Sequence, residues 1–296
     1  MVDFSKLKKR AEEGSNLDRL AKAAEALNTS FDGASNKELF WKPEVDKAGN
    51  GMAEIRFLPT PPQDGEDGLQ WVKYWHHGFQ GPGGWLIDNC LTTQGKNCPV
   101  CESNSLLWNS GIEANKQVAR DRKRKLNYVS NVYIVSDPKH PENEGKVFLF
   151  KYGKKIYEKL VEAWNPTFPD EKPFDPFDLW KGANFKLKIR KVDGYQSYDK
   201  SEFATPAPLS EDDAKLEKIY NSEHSLQVLV GEKEFKSYDD LKKRLDKVLG
   251  LVDTAGKTTV EILKETPKVA QRSFSAEPEL AEDDDLDYFA KLAEED

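Results

Sequence analysis

WVKYWHHGFQGPGGWLIDNCLTTQGKNCPVC, residues 71–101, holds all three cysteines of the chain and two of its four histidines. The aromatic run 71–79 predicts a strand, and the glycines from Gly78 to Gly84 predict a turn after it. Cys90, Cys98 and Cys101 follow. The CxxC spacing lets two sulfurs grip one ion from a single turn, and a histidine on the preceding strand supplies a fourth donor. Successive strand residues face opposite ways, so only one of His76 and His77 reaches such an ion. Three thiolates and a neutral imidazole suit tetrahedral zinc and leave no coordination position for water. That closed set points to one structural zinc and away from a zinc hydrolase. The competing readings are three free buried thiols, or a redox CxxC pair; no βαβ pattern surrounds Cys98 to favour the latter.

Outward from this stretch, strand patterns recur at 52–58 (ending at Pro59), 127–135, 146–152 and 184–192, with a Pro-, Gly- and Asp-rich loop from Pro61 to Gly68. The last strand alternates Phe185, Leu187 and Ile189 with Lys186, Lys188 and Arg190, which predicts one buried face and one positive face. Helices are expected at 154–164, 210–220 and 237–249, with Ser210 and Ser237 as N-caps and Gly250 as the stop. Residues 1–30 read as a helical arm, with Leu17, Leu20, Ala21, Ala24 and Leu27 at helical spacing behind Lys6, Lys8, Lys9 and Arg10. Strands dominate the middle and helices flank it, so the fold class is α+β, built as a small β-barrel with insertions. The expected division is an arm (1–30), a core (31–252) with a zinc subdomain around 71–110, and a linker with tail (253–296).

The net charge of −8 over 296 residues is a property of the tail. Residues 277–296 carry ten acids against one base, Lys291, so the other 276 residues hold 43 bases against 42 acids. An acidic tail on a body with basic clusters suggests a polyanion-binding surface with its own mimic attached. No apolar run is long enough to span a membrane, and no apolar segment follows the N-terminal charges as a signal peptide requires. Three cysteines cannot all pair, which fits a reducing compartment.

The bases cluster among aromatics. Lys116, Arg120, Arg122, Lys123, Arg124 and Lys125 precede Tyr128 and Tyr133. Lys146, Lys151, Lys154, Lys155 and Lys159 interleave with Phe148, Phe150, Tyr152 and Tyr157. Lys181, Lys186, Lys188, Arg190 and Lys191 precede Tyr195 and Tyr198. Cations hold phosphates and rings stack on unpaired bases, so the interleaving favours single-stranded nucleic acid over duplex, for which no recognition-helix motif is present. Arg122, Phe150, Tyr152, Lys154 and Lys155 enter the candidate surface on this ground. An enzyme of nucleic-acid metabolism, such as a nuclease or nucleotidyl transferase, is the alternative. It would need a rigid carboxylate cluster or a phosphate loop; the dense carboxylates lie in the tail and no GxxxxGK[ST] occurs.

Residues 51–59 (GMAEIRFLP), 77–79 (HGF), 98–101 (CPVC), 123–125 (KRK) with Tyr128, 141–148 (PENEGKVF), 153–156 (GKKI), 182–185 (GANF) and 194–199 (GYQSYD) resemble the replicative single-stranded DNA-binding, helix-destabilising protein family of T-even-type phages. The resemblance runs from about residue 48 to 200. It implies a non-enzymatic protein of phage DNA replication, recombination and repair in the cytoplasm of the infected bacterial host. The fold implied is an OB-fold-like core carrying a zinc subdomain, with unstructured ends. His77, rather than His76, matches the family's zinc histidine, beside Cys90, Cys98 and Cys101. Lys123, Arg124, Lys125 and Tyr128 match its basic DNA-contacting stretch, and Tyr195 and Tyr198 its aromatic pair. The family further implies cooperative, head-to-tail self-association along DNA through a basic arm, here Lys6, Lys8, Lys9 and Arg10. Its acidic tail implies replication and recombination proteins as partners.

Overall fold

The computed structural model describes residues 39–65 and 67–251, so both the arm with Lys6, Lys8, Lys9 and Arg10 and the acidic tail lie outside the described residues. The chain forms two compact units. One, the sheet unit, takes the chain up to residue 73 together with 126–234; the other, the lobe, takes 74–125 together with the chain from 235 onward.

The strands are β1 (Phe40–Trp41), β2 (Gly51–Phe57), β3 (Val72–Gly81), β4 (Gly84–Asn89), β5 (Lys125–Ser136), β6 (Val147–Tyr152), β7 (Phe185–Val192), β8 (Tyr195–Ser197) and β9 (Glu202–Phe203). The helices are α1 (Pro99–Asn109), α2 (Glu113–Arg122), α3 (Lys154–Trp164), α4 (Asp213–Asn221) and α5 (Tyr238–Leu249). The class is mixed α+β, as the alternation of patterns predicts.

In the sheet unit the strand order is β1-β6-β5-β2-β7-β8, with β9 beside β7. The path is open and antiparallel from β6 to β8; β1 pairs parallel with β6. The central strand β2 turns Ala53, Ile55 and Phe57 into the core. The Phe57 ring meets Tyr152, Phe177 and Phe185 at centroid distances of 5.7, 5.6 and 5.7 Å, each close to edge-on, the arrangement that ring quadrupoles favour.

Arg56, between those inward residues, is also 1% exposed. Its guanidinium donates to the carbonyls of Asp178 (2.8 Å) and Ala207 (2.9 Å) and to Asn184 Oδ1 (3.3 Å). Burial lowers its pKa to about 10, so it stays charged at neutral pH, and its donors tie the 178–184 segment and residue 207 to the sheet. A Cβ on Gly182 would sit 2.4 Å from the Asp178 carbonyl oxygen and 3.1 Å from Arg56 Nη2, so that turn needs glycine.

Several expected elements form as read. Helix α3 covers the expected span. Ser237 Oγ accepts from Asp240 N (3.2 Å), and Gly250 ends α5 in the left-handed region at φ 70°. Others differ. Asp212, not Ser210, caps α4, accepting from Ala214 N at 2.9 Å. The Gly78–Gly84 stretch is mostly strand: β3 continues to Gly81 and β4 starts at Gly84. The outward face of β7 is alternately charged as expected, but Lys188 pairs with Glu202 (2.7 Å) and Arg190 holds Asp199 with two hydrogen bonds (2.9 and 2.6 Å). That face is ion-paired rather than simply positive. Asp199 is held well below the usual carboxylate range by the Arg190 guanidinium.

Candidate metal centre and nucleic-acid surface

Strand alternation builds the metal centre. Trp75, His77 and Phe79 share one side of β3, and His77 stands opposite Asp88 of β4. Past β4, Cys90 N donates to the Trp75 carbonyl (2.8 Å), which brings the first sulfur beside His77. A 3-10 turn over Leu91–Gln94 ends at Gly95 (φ 67°) and reverses the chain toward α1. Cys98 is the N-cap of α1, Pro99 occupies its first turn, and Cys101 stands one turn in.

The four donor atoms lie within 4.8 Å of one another, and His77, Cys90, Cys98 and Cys101 are 0–3% exposed. Cys90 Sγ is 3.5 Å from Cys101 Sγ, and His77 Nε2 is 3.6 Å from both Cys98 Sγ and Cys101 Sγ. Sulfur and nitrogen donors on a tetrahedral zinc stand about 3.5–3.8 Å apart, given bonds of about 2.3 and 2.0–2.1 Å. The donor set and its spacing therefore fit a metal ion. His76, on the other side of β3, is not part of the cluster, as the strand parity requires.

Hydrogen bonding fixes two proton positions. His77 Nδ1 contacts the Arg122 carbonyl (3.3 Å), which can only accept, so Nδ1 carries the proton and Nε2 offers its lone pair to the cluster. Thr92 Oγ1 accepts from Trp75 N (2.9 Å) and from Arg124 Nη1 (2.6 Å), which occupy both of its lone pairs. Its one hydrogen is left for Cys90 Sγ at 3.1 Å, so Cys90 accepts. Hydrogen bonds from the Cys101 and Cys98 thiols, with Thr92, hold the Cys90 pKa down at about 3; the bond to Cys90 pushes the Cys101 thiol up in turn. Protons thus shared among three sulfurs are those a dication displaces on binding.

Helix α5 completes the lobe. Leu241, Leu245 and Val248 pack in one cluster with Leu86, Val100 and the three cysteines. A Cβ on Gly83 would lie 2.0 Å from the Lys247 carbonyl oxygen, so only glycine admits the helix at that distance. Asp88 anchors α5 through Arg244 (2.5 Å) and receives Lys236 at 3.3 Å.

The basic stretch expected to meet phosphates leaves α2 beside this centre. The Arg122 guanidinium lies over the Phe79 ring (5.3 Å) and that of Arg124 over Trp75 (4.5 Å). Arg122 has its pKa lowered by burial, while Lys123 and Lys125 are half-exposed. Lys116 and Arg120 lie over Trp108 at 5.6 and 5.3 Å, and Arg120 also holds Glu113 (2.9 Å).

In the sheet unit, Lys154 and Lys155 are exposed in the first turn of α3, which has no acid there. Tyr195 and Tyr198 are half-buried at and just beyond β8, behind a tight turn at Asp193 (φ 51°) and Gly194 (φ 92°). Phe150, Tyr152 and Tyr128 are 3%, 4% and 7% exposed. Tyr128 stacks on Tyr157 (4.1 Å, 7°) and faces Tyr152 (5.8 Å, 15°), which in turn faces Phe150 (5.6 Å, 28°). Rings packed on both sides have no free face for a base. Phe150, Tyr152 and Tyr128 are thus corrected from stacking surface to core, because β5 and β6 turn them inward. Trp75 and Phe79, aromatic flanks expected to pack around a metal-held lobe, lie with the cysteines in one cluster. Thr92 and Asn104 are site residues that spacing alone does not mark, apart from the hydroxyl two residues after Cys90.

Residues 49–249 match the family model described as gp32 DNA binding protein like. The chain is 35% identical over 237 residues to the single-stranded DNA-binding protein of Enterobacteria phage T2, covering 78% of this chain and 76% of that protein. It is 34% identical over 258 residues to the single-stranded DNA-binding protein of Enterobacteria phage T4, covering 85% and 83%. A third relative, the single-stranded DNA-binding protein of Escherichia phage SV14, is 40% identical over 74 residues. With the buried His-Cys-Cys-Cys cluster inside the matched span, the chain belongs to the gp32 DNA-binding-protein-like family.

Proposed function

We propose that this chain coats single-stranded DNA without regard to base sequence, as a replication protein of a T-even-type phage in the cytoplasm of the infected bacterium. The observation that carries the reading is the cationic segment 122–125, whose two arginines lie across aromatic rings beside the buried metal cluster, in a chain related along most of its length to single-stranded DNA-binding proteins. Lys123, Arg124, Lys125, Lys154 and Lys155 meet phosphates, with Arg122 held against Phe79 as support. Tyr195 and Tyr198 stack on bases. Every base has a π-face and every nucleotide a phosphate, so neither contact selects sequence.

His77, Cys90, Cys98 and Cys101 hold one zinc, which supplies folding energy to the lobe, since four protein donors fill its shell. The antiparallel strands β2, β5, β6 and β7 form the OB-fold-like part of the core. Lys6, Lys8, Lys9 and Arg10 dock on a neighbouring copy, which gives head-to-tail cooperativity. Residues 277–296 compete with DNA and recruit replication, recombination and repair proteins.

Alanine at Lys123 or Lys125 tests the phosphate role. Each change is expected to flatten the slope of log affinity for oligo(dT) against log salt by about one unit. Tyr198→Ala is expected to weaken binding by about 1–3 kcal/mol and leave the slope alone. Slopes equal to wild type in both lysine variants would refute the assignment.

A further inference from the structure

Asn104 of α1 is 1% exposed, and its Nδ2 donates to the Arg122 carbonyl at 2.9 Å. Its Oδ1 is buried without a hydrogen-bond partner among the described residues. Burying an amide half-paired costs free energy that an apolar side chain of the same size would avoid, so packing alone does not account for an amide here. The bond to Arg122 does. Arg122 is the last residue of α2, and its carbonyl is one of those for which the helix supplies no donor. Lys123 then leaves the helix with extended backbone (φ −57°, ψ 152°). All of these residues belong to the lobe.

We propose that Asn104 is a positioning residue for single-stranded DNA: it holds the carbonyl at which α2 ends and so directs Lys123 and Lys125 toward phosphate. The inference rests on the reading of segment 122–125 as a phosphate-binding surface. Arg122 and Arg124 lie over Phe79 and Trp75, which share one side of β3. Successive residues of an extended segment point opposite ways, so Lys123 and Lys125, both half-exposed, are turned off β3. That parity is set where the helix stops. The Arg122 carbonyl lies in the peptide plane it shares with Lys123, so a rotation there re-aims the side chains that follow. His77 Nδ1 shares the carbonyl, at the longer distance of 3.3 Å, and Thr92 Oγ1 holds Arg124 further along at 2.6 Å. Cations fixed in place before the strand arrives lose less freedom on meeting it, which raises affinity without adding a contact.

The test uses the full-length chain, comparing wild type, Asn104→Leu and Asn104→Ala, each alone and combined with Lys123→Ala or with Lys154→Ala of α3. Thermal melting is measured beside oligo(dT) affinity over a salt series. Leucine keeps the size and removes the donor; alanine covers the case in which leucine does not fit. The folded variants are expected to lose about threefold to tenfold in affinity, the worth of one hydrogen bond, and to flatten the salt slope by up to about one unit. Lys123→Ala should then cost less in the Asn104 variants than in wild type, because the lysine is already misplaced. Lys154→Ala, in the sheet unit, should cost the same in every background. A folded variant with wild-type affinity and slope overturns the proposal, and so does an equal cost of Lys123→Ala in every background. If both variants lose the melting transition of the lobe, Asn104 is structural and the proposal is likewise overturned. A wild-type protein that does not bind oligo(dT) overturns both the proposal and the reading beneath it.

Discussion

Replacing Cys98 or Cys101 with serine is expected to abolish metal uptake by the proposed site and to unfold the lobe. Both sulfurs are buried, 2% and 3% exposed, in the same cluster as Leu241, Leu245 and Val248 of α5. A serine oxygen is a poor donor for zinc and is left buried with its hydrogen-bonding needs unmet. Apparent zinc-binding free energies in small zinc modules are about 10–16 kcal/mol at neutral pH, as large as the whole stability of an ordinary domain, about 5–15 kcal/mol. The expected result is a fall from one metal equivalent to none, with a lobe transition at lower temperature that wild type reproduces when a strong chelator is added. Elemental analysis and calorimetry on the same preparations measure both. A Cys98→Ser protein that keeps one equivalent of metal and melts like wild type would contradict the account.

The second large effect belongs to the sheet unit. Phe57→Ala is expected to cost about 3–5 kcal/mol, measured by urea unfolding, because it empties the position at which the rings of Tyr152, Phe177 and Phe185 converge. Tyr152→Ala should behave in the same way. Its hydroxyl pairs with Ser130 Oγ at 2.9 Å, burial pushes its pKa well up, and its ring is packed on its neighbours. Its loss should therefore appear as lowered stability, with DNA affinity unchanged where the variant is still folded. A selective loss of DNA affinity at unchanged stability would return Tyr152 to the binding surface.

The elements legible in the sequence are those whose determinants are local. The CxxC pair, the capping Ser237 and the terminating Gly250 each act within a few residues of themselves. Helix α2 was not legible: in EANKQVARDR only Ala119 is buried, so it has no apolar stripe to read. Strand β4 was hidden by the glycines at its start. The misread surface has a physical cause as well. In VFLFKY, aromatics recur at every second position and Lys151 stands between the last two, as on a DNA-binding strand, but the same alternation arises in any strand with one wet face. Long-range pairing decides between the two. The carboxylates that offset Lys188 and Arg190 come from Glu202 and Asp199, across a turn, and the helix that closes the metal lobe comes from beyond residue 235. Neither is encoded in the spacing around Cys90.

Titration of the intact chain with oligo(dT) tests the central claim most directly, followed through its seven tryptophans and ten tyrosines over a series of salt concentrations, with duplex DNA of the same length as control. The account predicts saturable quenching by the single strand, nearly equal affinity for oligo(dT) and mixed-sequence strands, a linear fall of log affinity with log salt, and much weaker duplex binding. No quenching by oligo(dT) at low salt, or tighter binding to the duplex, would contradict it.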